Sequence, residues 1–135
     1  MTAIPLSEVR ARAAQALAPD PDSDLVVLPD LVDAVQPPAL MFEWNDPWVT
    51  VRTVAGATGF YEANLNVLCL AGRVEPGPGI ETLEGLVAFV LSRLQADPYS
   101  WALAASQAPR VFDVNNVPLL GARLSFRVAV AVEGG

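Results

Sequence analysis

One stretch of the sequence, residues 60–95, constrains the fold more than any other because it joins a strand to a helix. Residues 61–71 alternate between apolar and polar side chains and then become apolar on both faces, which indicates a β-strand inside a sheet. Residues 76–79 read Pro-Gly-Pro-Gly and interrupt the chain. Apolar residues at 80–95 recur every three or four positions, which predicts one amphipathic helix. The stretch therefore predicts a sheet that is covered on one face by a helix.

The N-terminal part predicts a helix followed by an acidic, proline-rich connector. Residues 7–18 carry a thin apolar stripe at helical spacing, with Ser7 in the position of an N-cap. The connector, residues 19–38, is long for a loop in a compact domain, so we expect a strand at 25–28 and a helical turn at 31–35. Two roles are open for the connector: it stays within its own domain, or it reaches a neighbouring subunit.

Several further strands are expected after the connector. Residues 39–44 and 48–54 flank an Asn-Asp-Pro turn signal, which predicts a hairpin or a closely linked pair of strands. A short strand or an extended connection is expected at 100–105. Around Asn115-Asn116 we expect a second hairpin, because asparagine tolerates the left-handed turn conformation. The clearest alternation of the chain, at 122–132, predicts its last strand.

These elements define the predicted fold class, α+β. We expect a largely antiparallel or mixed β-sheet with one long amphipathic helix packed on one face, plus an N-terminal helix. The length of 135 residues favours a single domain, 1–135. Within it, residues 1–38 supply the N-terminal helix and the connector, and residues 39–132 supply the sheet and the main helix.

The charge balance argues against tight binding to nucleic acid. The net charge is −7, the chain has no histidine, and its eight basic residues are all arginines, scattered among fifteen acids. Proteins that grip nucleic acid present a basic patch, whereas this composition is compatible with DNA that slides past without sticking.

Hydropathy and cysteine content predict a soluble protein made in a reducing compartment. The mean hydropathy is +0.38, yet no apolar run approaches the roughly 20 residues that a membrane-spanning helix needs. Charged residues at 8, 10 and 12 interrupt the pattern of a signal peptide. Cys69 is the only cysteine, so an intrachain disulfide is excluded, and its place on an apolar strand face predicts burial.

The sequence offers few residues for catalysis. Without histidine there is no Ser-His-Asp or Cys-His arrangement, and without lysine there is no Schiff base and no lysine of a phosphate-binding loop. Gly77-Pro78-Gly79 precedes a helix, but a rigid loop explains it better than an anion site. Glu81 and Glu84 fit the helix dipole better than a catalytic carboxylate pair. We therefore predict no enzyme, no catalytic residues and no cofactor.

A calcium loop is also disfavoured. Residues 20–24 place acids at the first, third and fifth positions of such a loop. The sixth position, which requires glycine, is Leu25, and the twelfth, which requires glutamate, is Leu31. The segment is better explained as a solvated acidic connector, and no metal ligands are predicted.

The remaining candidates for functional residues are those that could contact a partner protein. Trp44 and Trp48 flank a turn, and they either pack on the core or form an exposed aromatic contact to a partner. Arg123 and Arg127 share one strand face, and they are either solvent-exposed or paired with acids of a neighbouring subunit. The candidate interface residues are Trp44, Asp46, Trp48, Arg73, Glu75, Arg110, Arg123 and Arg127.

Four segments carry a resemblance to a known family. They are residues 66–76 (NVLCLAGRVEP), 81–87 (ETLEGLV), 108–112 (APRVF) and 121–128 (GARLSFRV). Over roughly residues 39–132 the chain resembles the tail terminator proteins of long-tailed (siphovirus-type) actinobacteriophages. These segments are structural patterns and not catalytic signatures.

The resemblance implies a non-enzymatic ring, usually a hexamer, that caps the head-proximal end of the tail tube. Such a ring stops tube polymerisation and offers a surface to the head-side connector. The implied partners are other copies of the chain, the major tail tube protein and the head–tail connector or stopper protein, while DNA passes through the channel without specific binding. The implied location is the tail neck of the virion, after assembly in the host bacterial cytoplasm, with no membrane involved.

Three other classes stay open. A head–tail connector or stopper protein of the phage neck has a similar size and fold class. A small soluble binding module would remain monomeric. A small enzyme would have to work with carboxylates and arginines alone.

Overall fold

The computed structural model describes residues 3–28, 37–54, 57–73, 78–114 and 116–131. In this part of the chain, seven strands form one curled mixed β-sheet, accompanied by two helices. The strands are β1 (Ile4–Pro5), β2 (Val26–Leu28), β3 (Ala39–Val54), β4 (Ala57–Arg73), β5 (Ala102–Ser106), β6 (Arg110–Val114) and β7 (Val117–Ala131). The helices are α1 (Val9–Ala16), which follows a 3-10 turn at Leu6–Glu8, and α2 (Pro78–Ala96).

Strand β7 organises the sheet. The strand order is β1-β7-β4-β3-β2, and β5 and β6 also pair with β7. Because β4 occupies one side of β7, the other side is shared along its length by β6, β5 and β1. The β1–β7 and β2–β3 pairs are parallel and the remaining pairs are antiparallel.

The main hydrophobic core lies on one face of the sheet. Phe42, Val67 and Leu124 are cross-strand neighbours in β3, β4 and β7 and are buried there. Leu83 and Val90 of α2 belong to the same buried cluster, as do residues of α1. A smaller apolar cluster of Met41, Leu68, Leu70 and Leu119 lies on the opposite face, so both faces of the sheet bury side chains.

Several sequence predictions are confirmed. The fold class is α+β, and β4 lies inside the sheet between β3 and β7. The short strand predicted at 25–28 is β2. The second predicted hairpin joins β6 to β7, with Asn116 in the left-handed conformation at φ 67°. The helical turn predicted at 31–35 lies outside the described residues.

Of the two arrangements predicted for residues 39–54, a hairpin or a closely linked pair of strands, the hairpin is wrong. The whole range is one strand, β3, and both of its halves pair with β4. The register shifts between Trp44 and Val49, so the polar turn residues are accommodated as a bulge and the chain does not reverse. The turn signal was local, and the continuous partner strand overrode it.

The predicted N-cap at Ser7 is also wrong. Ser7 lies inside the 3-10 turn, and the residue that precedes α1 is Glu8, which makes no side-chain capping hydrogen bond. The extra turn shifts the start of the α-helix past the serine. Among the described residues, neither helix combines the length and apolar character that crossing a bilayer requires.

Burial makes the thiol of Cys69 a poor acid. Cys69 is fully buried in β4, as predicted, and its burial raises the pKa of the thiol to about 12. An unfolded chain ionises its cysteine near pH 8.5. Between about pH 9 and 12 the folded state therefore holds a proton that the unfolded state has lost. The free energy of unfolding must fall as the pH rises through this window, with a slope of up to about 1.4 kcal/mol per pH unit.

We expect chemical denaturation to show this slope between about pH 9 and 11. A Cys69→Ala variant has no thiol to ionise, so its slope over the same range should be shallower. Equal slopes in the two proteins would contradict the assignment.

Candidate assembly surfaces

The outer side of β3 forms one edge of the sheet. Strand β2 pairs only with residues 39–41, and beyond them no described strand pairs with this side of β3. Trp48 is 49% exposed and Val51 is 66% exposed. Tyr61, the cross-strand neighbour of Val51, is also exposed. We call the surface formed by Trp44, Asp46, Trp48, Val51 and Tyr61 the tryptophan edge.

The two tryptophans of this edge differ in environment. Their ring centroids are 5.2 Å apart and their planes are inclined at 41°. Trp44 is partly buried and packs against the main core, whereas Trp48 is exposed. Together with Pro5, Leu6 and other residues they line an open pocket of about 570 Å³. The sequence left two roles open for these tryptophans, packing on the core or contact with a partner. Trp44 fits the first role, and the exposed Trp48 leaves its aromatic surface free for contact.

The opposite edge of the sheet is formed by β5 and β6. All five residues of β5 are exposed. Leu103 in β5 is 45% exposed and Val111 in β6 is 48% exposed. Arg110 is exposed and its guanidinium carbon lies 5.3 Å from the ring centroid of Phe112. Arg127 of β7 is exposed and lies opposite Ala102 of β5. We call the surface formed by Leu103, Arg110, Val111, Val117 and Arg127 the arginine edge.

Two hollows adjoin the arginine edge on the helix side. One, of about 390 Å³, lies between α2 and the chain from Ser106 to Pro109, and residues including Val87 and Leu124 line it. The other, of about 330 Å³, includes Leu103 and Phe126 in its lining. Leu91 lines both hollows, so they are neighbours along α2. The larger hollow is lined mainly by apolar side chains, whereas the lining of the smaller one also includes Gln95, Asp97 and Tyr99.

Arg123 is held inside the chain by a polar network on the face away from the helices. Its Nε donates to Glu43 Oε1, and Asn66 Nδ2 donates to the same oxygen at 3.2 Å. Ser125 Oγ donates to Asn66 Oδ1 at 2.7 Å, and Arg123 Nη1 donates to Gln107 Oε1 at 3.3 Å. The Arg123 side chain is only 25% exposed. The carboxylate partner of Arg123 is therefore Glu43 of the same chain. The network of hydrogen bonds around this pair links β3, β4 and β7.

The structure divides the predicted interface residues into groups. Trp44, Asp46 and Trp48 belong to the tryptophan edge, and Arg110 and Arg127 belong to the arginine edge, where Arg110 pairs with Gly121 and Arg127 with Ala102. Among the described residues, Asp46, Arg110 and Arg127 form no ion pair. The backbone of Arg73 ends β4 opposite Leu119. Glu75 lies outside the described residues.

Sequence analysis missed the apolar members of both edges. Val51 stands in a segment that was predicted as a strand, and Leu103 in one that was predicted as a short strand or an extended connection. An alternating pattern does not say which strand ends at an edge. The network around Arg123 was missed for a related reason. Glu43, Asn66 and Ser125 meet because of the cross-strand register, which the sequence does not display.

The acidic connector shows internal contacts at its start. The backbone N–H of Ser23 donates to the Asp20 carbonyl at 2.9 Å, and Asp20 pairs with Arg93 of α2 at 3.5 Å. Among the described residues, no three histidine, cysteine or acidic side chains are grouped so that they could hold a metal ion.

The fold is that of an α+β protein, and in the part of the chain that the structure describes its curled sheet has unpaired strand edges along β3 and along β5 and β6. The chain matches no protein-family model, and no curated protein is significantly similar to it.

Proposed function

We propose that the protein is the tail terminator of a long-tailed bacteriophage, a non-enzymatic ring subunit at the head-proximal end of the tail tube. The observation that carries this proposal is the presence of two surfaces with large exposed apolar side chains at opposite edges of one sheet. Exposed apolar residues on a monomeric protein are usually scattered singly. Two separate surfaces on opposite sides suit a subunit that contacts two neighbours.

The proposed subunit is a sheet covered on one face by the long amphipathic helix α2, with the N-terminal helix beside it. Burial of Leu83, Val90 and Leu94 of α2 supports this arrangement. A face covered in this way leaves the edges of the sheet as the surfaces for assembly. The resemblance over residues 39–132 is the reason for choosing a tail terminator among ring-forming proteins.

The charge of the protein suits the proposed channel. With a net charge of −7, a ring of several copies is strongly acidic. Like charge keeps DNA from adhering to the wall while it moves through. The proposed partners are other copies of the chain, most simply as a hexamer, the tail tube protein on one side and the head-side connector on the other. The proposed location is the neck of the virion.

Blocking production of the protein during phage assembly tests the proposal. If the protein ends tube polymerisation, negative-stain microscopy will show overlong tails of variable length that are detached from heads. Supplying the wild-type chain from a plasmid should restore a uniform tail length, which is the control for effects on neighbouring genes.

Two other results would contradict the proposal. Tails of normal length beside leaking heads would place the protein on the head side, as a connector or stopper. Virions of normal form and number would remove it from the neck altogether and would favour a binding module.

A further inference from the structure

Resting on the proposed ring, we infer that the tryptophan edge of one copy docks against the arginine edge of the next copy. Each subunit would then use two different surfaces, and the contact would be head-to-tail. A head-to-tail contact generates a closed ring when its rotation closes. The inference names a second copy of this chain as the occupant of both surfaces.

The position of the two edges supports a head-to-tail contact. Trp48 and Val51 of the tryptophan edge lie on β3, whereas Leu103 and Val111 of the arginine edge lie on β5 and β6, which pair with the far side of β7. Strands β7 and β4 separate these two pairs of side chains within one subunit. A subunit therefore cannot bring its own two edges together, but neighbouring subunits placed side by side can.

The shapes of the two edges are complementary. Residues 57–60 of β4 pair only with β3, whereas Tyr61 also pairs with β7. The β3–β4 ribbon thus extends beyond the rest of the sheet, and Val51 is the most exposed large apolar side chain next to it. The arginine edge offers the two neighbouring hollows along α2, where Leu91 is shared. The exposed Val51 of one copy fits the larger, mainly apolar hollow beside the arginine edge of the next copy.

The charges of the two edges are also complementary. The arginine edge carries the exposed Arg110 and Arg127, with the exposed Asp113 of β6 beside them, in a protein of net charge −7. The tryptophan edge carries Asp46, which is exposed. Among the described residues none of the side chains of Arg110, Arg127 and Asp46 has an ion-pair partner within the chain. Opposite charges around an apolar contact favour the head-to-tail pairing and disfavour contact of an arginine edge with another arginine edge.

Two single variants, each damaging one edge, test the inference. Val51→Arg places a guanidinium on the tryptophan edge, where it would face the arginines of the next copy, and Leu103→Asp places a carboxylate on the arginine edge, where it would face Asp46. Burying an unpaired charge in an apolar contact is costly, so each variant alone should remain at the monomer mass of 14.3 kDa. An equimolar mixture still contains one intact surface of each kind. It should form dimers of twice the chain mass and nothing larger, as measured by light scattering after size exclusion.

A matched control separates assembly from folding. Ile80→Asp introduces the same carboxylate at an exposed apolar side chain of α2, outside both edges. It lies in the first turn of the helix, where a negative charge is tolerated. This variant should assemble like the wild-type protein. All three variants should keep the wild-type circular dichroism spectrum, because the substituted side chains are exposed.

Several results would overturn the inference. A dimer formed by either variant alone would mean that an edge pairs with itself. Monomers in the mixture, wild-type assembly by either edge variant, or a wild-type protein that stays monomeric would each show that the two edges do not meet. The phage experiment gives an independent result. Dimers in the mixture together with normal tails in the phage experiment would support the contact and reject the terminator function. Monomers in the mixture together with overlong tails would reject the contact and support the terminator function.

Discussion

Replacing Phe42 by alanine is expected to lower the free energy of unfolding by about 3–5 kcal/mol. Phe42 is 1% exposed and is among the largest fully buried side chains of the described residues. It lies in β3 opposite Val67, in the cluster that also contains Leu124 and the buried side of α2. Truncation removes the favourable transfer of the ring from water and leaves a cavity that the surrounding strands cannot fill.

Chemical denaturation measures this effect, and Val51→Ala is its matched control. Val51 lies in the same strand but is 66% exposed, so its truncation should change the free energy of unfolding of a subunit by less than about 0.5 kcal/mol. Both variants should be compared at several protein concentrations, because assembly couples stability to concentration. A loss of less than about 1 kcal/mol in the free energy of unfolding of Phe42→Ala would show that the phenyl side chain is not part of the core.

Replacing Gly121 by alanine is expected to destabilise the protein by about 1–3 kcal/mol. A Cβ atom at this position would lie 2.6 Å from the carbonyl oxygen of Cys69 and 2.9 Å from Leu70 Cδ2. The closest of these atoms belongs to the backbone of the neighbouring strand β4, so relief requires β7 and β4 to separate. Phe112 Cδ2, at 3.0 Å, closes the site from the side of β6.

Replacing Gly85 by alanine should have the opposite effect on the stability of the protein. Gly85 lies inside α2, is exposed, and a Cβ atom there would meet nothing within 4 Å. Alanine is favoured over glycine in a helix interior, so Gly85→Ala should stabilise the protein by up to about 1 kcal/mol. Thermal unfolding of the two variants side by side distinguishes close packing from intrinsic propensity. A stabilising Gly121→Ala variant would contradict the close approach of the strands.

Much of the fold was readable because it depends on neighbours along the chain. The alternation at 61–71 and 122–132 predicted β4 and the greater part of β7. The spacing of apolar residues at 80–95 predicted an element that the structure gives as α2, Pro78–Ala96. The predicted hairpin within 39–54 failed because a turn signal is local, whereas the pairing of β3 with β4 is not.

The candidate surfaces were readable only in part. Trp48 and Arg110 were predicted as interface residues from the sequence alone. Their separation onto opposite edges required the strand order, and so did the pairing of Arg123 with Glu43 of the same chain. No periodic pattern distinguishes an edge strand from an inner strand that has one polar face.

The sequence by itself determined the α+β class, the buried place of Cys69 and the acidic, histidine-free chemistry of the protein. These properties follow from composition and from periodicities of two and 3.6 residues, which are set within a few residues of chain. The tertiary structure alone decided the strand order, the continuity of β3, the network around Arg123 and the two open edges. Each of these depends on which distant segments pair and in what register, and that choice is made by packing of the whole chain.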